Sequence, residues 1–218
     1  DANFGMAPRD REIAREIARV RRRTGEPRAV YFTTAKRSST HLVEILDTLT
    51  AAGIATDTSL SLQSTDPDTL AAVERRNIST EHYLELARAF RVRGQPPVAE
   101  LMVGLPGQTT ESYRRDLQFA IDHGLQARTW ETRVLPNSPM NDPAYRDRWG
   151  IRTVPTRSGQ LIVSTATFSE ADRRHMLRLR LVANITDRLA VGRHVWRYLQ
   201  WDQGRRAIDV IHGWRVEH

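Results

Sequence analysis

Val98-Ala99-Glu100-Leu101-Met102-Val103-Gly104-Leu105-Pro106-Gly107-Gln108-Thr109-Thr110-Glu111 decides the fold. The first six residues form an apolar run of strand length. Two glycines and a proline then make a turn, and Thr109 stands where a helix cap belongs. The helix that follows stops at Gly124, and residues 128–135 read as the next strand, halted by Pro136-Asn137-Ser138-Pro139. Upstream, Thr58-Ser59-Leu60-Ser61-Leu62-Gln63 alternates as a strand does, and Asp66-Pro67 combines a capping side chain with a proline suited to the first helical position. A second helix start at Ser79 runs toward Gly94. Before these, residues 10–24 read as an amphipathic helix with Ile13, Ile17 and Val20 on one face, residues 29–34 as a short buried strand, and residues 40–52 as a helix through Leu42, Val43, Leu46 and Leu49.

This alternation defines an α/β fold, with right-handed crossovers between parallel strands. A (β/α) barrel and an open doubly wound sheet both satisfy it. In either, chemistry gathers where strands end, here at residues 33–36, 63–65, 104–109 and 135–138. After Pro139 the pattern changes to a short helix at 142–149, one strand at 160–165, a long helix from Ser169 and another helical stretch at about 193–201. The expected division is residues 1–140 as the strand–helix domain and 141–218 as a mainly helical C-terminal region.

Composition narrows the function classes. The chain has 218 residues, 39% hydrophobic and 27% charged, with a net charge of +7. No apolar run approaches the ~18 residues of a membrane span. There is no cysteine, which excludes disulfides, thiol nucleophiles and Cys-based metal sites in these residues and fits a cytoplasmic protein. The arginines are interleaved with acids, and Arg21-Arg22-Arg23 ends a helix where cations suit the dipole, so the charge reads as solvated surface and not as a nucleic-acid footprint. The seven histidines make no metal-ligand spacing, and no metal ligand or catalytic residue is assigned.

Several residues carry two readings each. Gly104 to Glu111 is either a backbone cradle for an anion at a helix start or an ordinary strand–helix turn with a threonine cap; it lacks the lysine of a P-loop. Gln63 either hydrogen-bonds a polar ligand or belongs to a turn that Asp66 caps. Arg75 and Arg76 either reach a ligand carboxylate or sit in solvent at a helix end. Glu100, within an apolar strand, needs a partner or a wet cavity.

Taken together, Ser59 through Asn77, the stretch from Glu100 to Ser112 and the ending Arg133-Val-Leu-Pro-Asn-Ser-Pro-Met140 resemble the radical S-adenosylmethionine (SAM) superfamily, and within it the cobalamin-binding proteins. The opening Asp1-Ala-Asn-Phe-Gly-Met6 is similar to the end of that family's second strand. The resemblance implies an incomplete (β/α)6 partial barrel with a mainly helical C-terminal appendage. It implies SAM as ligand, with a [4Fe-4S] cluster and cobalamin in the full-length parent. There SAM is cleaved reductively to a 5′-deoxyadenosyl radical for chemistry such as methylation, and the partners are an unknown substrate and an electron donor.

By the same resemblance, Asp1, Asn3 and Phe4 occupy the loop that holds the SAM amino group, and Thr34 lies near the ribose. Gln63 and Arg75 match polar SAM contacts, with Arg75 toward the carboxylate. Glu100 matches an acidic position and Leu135 lies by the adenine. Two departures stand out: many relatives have glutamate where Gln108 stands, and the CxxxCxxC motif is missing. The chain is therefore expected to be a fragment, inactive alone. The alternative is a non-catalytic binding or scaffold module that has lost the iron–sulfur site.

Overall fold

The computed structural model describes residues 4–32, 40–56, 59–75, 77, 79–189 and 191–213. These divide into two compact units, Asp1–Ser61 with Asn77–Ala99, and Leu62–Arg76 with Glu100–His218.

In the first unit, helix α1 (Arg9–Thr24) packs on α2 (Thr40–Ala51), and β1 (Ala29–Val30) pairs in parallel with β2 (Ala55–Thr56). The buried stripe of α1 is Asp10, Ala14 and Ala18, whereas Ile13 is 44% exposed. Of the face expected from Ile13, Ile17 and Val20, Ile13 thus lies outside the packed stripe, while Ile17 and Val20 are half-buried. Two alanines four residues apart let α2 approach closely with Leu42, Ile45, Leu46 and Leu49, which are fully buried. Helix α4 (Thr80–Arg91) begins at its Ser79 cap and buries Tyr83, Leu86, Ala87 and Phe90. Asp10 turns its carboxylate back to accept from the amides of Gly5 (2.9 Å) and Ala7 (3.0 Å), which fixes the segment entering α1.

A three-stranded sheet runs in the order β3 (Ser59–Gln63), β4 (Val98–Val103), β5 (Gln126–Glu131). Helix α3 (Pro67–Ala72) follows β3, and α5 (Thr110–Asp122) joins β4 to β5. In the second unit α5 is central. It buries Tyr113, Leu117 and Ala120, and packs on α7 (Glu170–Ala183) and α9 (Ala207–Gly213). The helix starts read from the sequence at Thr109 and Ser169 are both capped. Thr109 forms a capping box with Ser112, and Ser169 forms one with Asp172 at the start of α7.

The strand expected over 128–135 is two strands, β5 and β6 (Arg133–Val134). Thr132 separates them because its amide and its hydroxyl both donate to the Val103 carbonyl, at 2.9 Å each. Its own carbonyl accepts from the Ile162 amide at 3.1 Å, which hands the chain to a second sheet. That sheet is antiparallel, ordered β6-β8-β7, with β7 (Arg152–Thr156) and β8 (Gly159–Ser164) forming a hairpin. Only β8 was expected from the sequence. β7 is almost wholly exposed, contains Pro155 and has a register irregularity at Arg152/Thr153. Between β6 and β7, α6 (Pro143–Arg148) is capped by Asp142, and α8 (Arg193–Trp201) follows α7. Among the described residues no helix is long and apolar enough to cross a membrane.

Candidate ligand-binding site

The strand ends of the second unit carry the expected polar residues. On β4, Ala99, Leu101 and Val103 are buried, while Glu100 and Met102 lie on the more open side. On β5 the more open residues are Gln126, Arg128, Trp130 and Glu131, and Arg128 Nη1 lies 3.9 Å from Glu100 Oε1. The carboxylate expected to need a partner therefore has one across the strand pair.

Gln63 ends β3 with φ of 67°, and the Ser64 amide donates to the Leu62 carbonyl at 2.9 Å. This is a γ-turn with positive φ, the rarer and strained of the two forms. A non-glycine residue there costs about 1–2 kcal/mol. Strain of this kind is tolerated where the surroundings over-determine it, and it collects at ligand sites. Gln63 is half-buried, and its side-chain amide has no hydrogen bond to a described residue.

The next three residues are tied down. Asp116, on α5, is fully buried and accepts from Ser64 Oγ (2.8 Å), the Thr65 amide (2.6 Å) and Thr65 Oγ1 (2.6 Å). Ser64 Oγ in turn accepts from the Asp66 amide at 3.1 Å. Asp66 caps α3 through the Thr69 amide and hydroxyl, and receives Arg115 Nη2 at 2.7 Å. Burial pushes the Asp66 carboxyl up, but the Thr69 and Arg115 bonds outweigh it and hold it below the usual carboxylate range.

For Asp116 burial wins over its three donors and raises the carboxyl from 3.8 to about 6. The folded state thus holds this proton more tightly than the unfolded chain does. Stability from Asp116 is complete below pH 4 and is lost as pH rises through 6. Asp116→Asn should therefore gain on wild type between pH 4 and pH 7, by about 2 kcal/mol in urea melts at each pH. A constant difference across that range would sink the assignment.

Arg75 is exposed, just past α3. Glu74, before it, sits at φ of 52°, with its amide on Ala71 O and the Arg75 amide on Leu70 O. This is a Schellman-type helix end with glutamate in the place glycine prefers. Tyr145 Oη donates to Ala72 O at 2.6 Å and closes the same helix end. Leu135 is 59% exposed beyond β6. Gln63, Arg75, Glu100 and Leu135 thus share one unit. Phe4 lies in the other, buried against Phe32 with ring centroids 4.9 Å apart. Asp1, Asn3, Thr34 and Arg76 lie outside the described residues.

The turn from Gly104 to Thr109 is internally satisfied. Gln108 is fully buried. Its Oε1 accepts from the amides of Gly104 (2.8 Å) and Leu105 (3.3 Å), and its Nε2 donates to Met102 O at 3.0 Å. The Thr109 and Ser112 amides are used in the capping box. The amides of Gly104, Leu105, Gln108, Thr109 and Ser112 are thus bonded within the turn, which favours the ordinary strand–helix reading. Gly107 is where α3 touches this turn. At φ of 81°, a Cβ there would stand 2.7 Å from Ala72 Cβ and 3.3 Å from Asp68 O.

The sequence reading missed Asp116 and Arg128. The signal for Asp116 was available: Tyr113, Leu117 and Ala120 define a buried stripe, and Asp116 falls on it.

A sequence pattern of the Radical SAM superfamily matches residues 4–120. That is more than half of the chain, and the chain belongs to this superfamily. Relatives include the cobalamin-dependent radical SAM methyltransferase TokK of Streptomyces tokunonensis, 38% identical over 159 residues. Another is the 2-(S-pantetheinyl)-carbapenam-3-carboxylate methyltransferase of Streptantibioticus cattleyicolor, 39% identical over 159 residues. Each comparison covers 72% of this chain and 23% of the relative, so the chain spans about a quarter of their length.

Among solved structures, the radical SAM methyltransferase TsrM of Kitasatospora setae, with cobalamin and a [4Fe-4S] cluster bound, superposes with a TM-score of 0.51. The identity is 22%, over 81% of this chain and 34% of that one. The HemN coproporphyrinogen III oxidase of Escherichia coli gives 0.50 at 17% identity, over 73% and 32%. The fold is a partial barrel of the radical SAM type, and the described strands close no barrel.

Iron–sulfur clusters of this kind are held by cysteine thiolates. The chain contains no cysteine, so none of its residues fits that role.

Proposed function

We propose that these residues form the SAM-binding part of a cobalamin-dependent radical SAM enzyme of methyltransferase type. The cluster thiolates and the cobalamin site would belong to polypeptide outside the 218 residues. The carrying observation is Gln63, held in a strained turn at a strand end with its side-chain amide bonded to no described residue, inside the segment that matches the superfamily. In this reading residues 1–140 are the barrel part and 141–218 its C-terminal region. Gln63 and Arg75 meet the polar end of SAM, Arg75 as a paired donor to the carboxylate. Glu100, Leu135, Thr34 and the segment with Asp1, Asn3 and Phe4 complete the contacts. The chain alone would bind SAM without turning it over. The parent would act in the cytoplasm on a substrate yet to be named, drawing on an electron donor.

Calorimetric titration of the chain with SAM tests this. Gln63→Ala and Arg75→Ala should each weaken binding by roughly tenfold, the loss of one good polar contact. Saturable binding that neither substitution changes would remove both residues from the site. The cysteine-free composition also favours a second reading, a non-catalytic binding or scaffold module that has lost the iron–sulfur site, which predicts weak SAM binding or none.

A further inference from the structure

Asp116 occupies a position where the fold asks for an apolar side chain. Its neighbours on the α5 stripe, Tyr113, Leu117 and Ala120, are buried, and Asp116 itself has no exposed surface. No cation pairs with it among the described residues. Its three donors instead come from Ser64 and Thr65, the two residues that follow Gln63. Ser64 is also fully buried, so the turn is gripped from the helix side while the Gln63 side chain stays on the more open side.

A positive φ at a glutamine relaxes unless something holds the chain that follows, and here the Asp116 carboxylate, 52 residues away from Ser64, binds both residues that follow. We infer that Asp116 is a positioning residue for ligand binding, fixing the Ser64–Thr65 segment so that Gln63 presents its side-chain amide to the polar end of SAM. The inference rests on the SAM reading of Gln63. The titratable groups that act on the carboxylate are Asp66 at the start of α3, itself paired with Arg115, and Tyr113 on α5.

A double-mutant cycle between positions 116 and 63 provides the test, with SAM affinity as readout and thermal melts to confirm folding. Asp116→Ala should weaken SAM by roughly tenfold in the wild-type background and by less than about twofold in the Gln63→Ala background. A general loosening of the fold would weaken both alike, and additive losses overturn the inference. Asp116→Asn keeps an oxygen for the Thr65 amide and hydroxyl and should restore most of the affinity. Equal losses in Asn and Ala also overturn it.

Should Asp116→Ala fail to fold, Thr65→Val removes one donor and keeps the carboxylate; it should show the same coupling to Gln63, and its absence counts against the inference. Should wild type bind no SAM, the SAM reading fails, and a crystal structure of Asp116→Asn beside that of Thr65→Val decides the rest. A φ at residue 63 that stays positive in the first and leaves the left-handed region in the second supports the clamp. An unchanged turn in both overturns it.

Discussion

Gly107→Ala should cost about 4 kcal/mol of stability, from two sources. A residue with a Cβ at φ of 81° costs about 1–2 kcal/mol in backbone strain. The added methyl would meet Ala72 Cβ at 2.7 Å, with Asp68 O and Thr69 Cα both at 3.3 Å. None of these is the flexible end of a side chain. The first turn of α3 would have to move, and overpacking of this kind costs a further 1–3 kcal/mol. The movement cannot stay local, because Asp66 and Thr65 are bonded to Arg115 and Asp116 on α5. Urea melts should show a lower midpoint with little change in slope. A loss below about 1 kcal/mol would mean that α3 is not held as described. Gly104, whose added Cβ would be 3.7 Å from the Phe168 ring, should tolerate alanine better.

The second large effect belongs to Gln108. Gln108→Leu keeps the volume and strands three buried groups, the amides of Gly104 and Leu105 and the carbonyl of Met102. An unsatisfied buried polar group costs about 1–3 kcal/mol, so a total of about 4 kcal/mol is expected. Gln108→Glu should cost less, because a carboxylate still accepts both amides, but its second oxygen faces a carbonyl instead of donating to it. Protonation repairs that contact, so the glutamate variant should recover toward wild type as pH falls, while the leucine variant should not. Denaturation of the three proteins at neutral and acidic pH gives the order. A leucine variant as stable as wild type would show that the turn satisfies its amides without the side chain.

The comparison of sequence with structure turns on what each residue type announces. Caps and glycines name their own geometry, so Ser79, Asp66, Thr109 and Ser169 were placed correctly and with them the starts of four helices. Packing partners do not announce themselves. Ile13 looked like the core face of α1, but close approach to α2 selected Ala14 and Ala18. Thr132 reads as one more strand residue, and only its two bonds to Val103 O break the strand there. β7 was missed because proline argues against a strand, and α9 because seven residues are too short for a period to show.

At the site, Gln63 was legible as a polar strand end. Its left-handed backbone was not, since that conformation depends on a carboxylate far along the chain. Of the two readings of the Gly104–Glu111 turn, Gly107 and Gln108 serve the structural one, as joinery between α3, β4 and α5.

The β7–β8 hairpin has a bearing on the protein's life in a crowded solution. A sheet that ended on a flat, regular strand would offer unpaired amides and carbonyls to any neighbouring copy. Here one edge strand is β7, where Pro155 contributes no amide, Arg152 places a charge near the edge, and the irregularity at Arg152/Thr153 breaks the even spacing of bonding groups. An incoming strand finds no continuous ladder to extend at this edge. The segment that looked least like a strand in the sequence therefore makes a poor template for intermolecular sheet growth, and the irregularities that hid it are the ones that protect it.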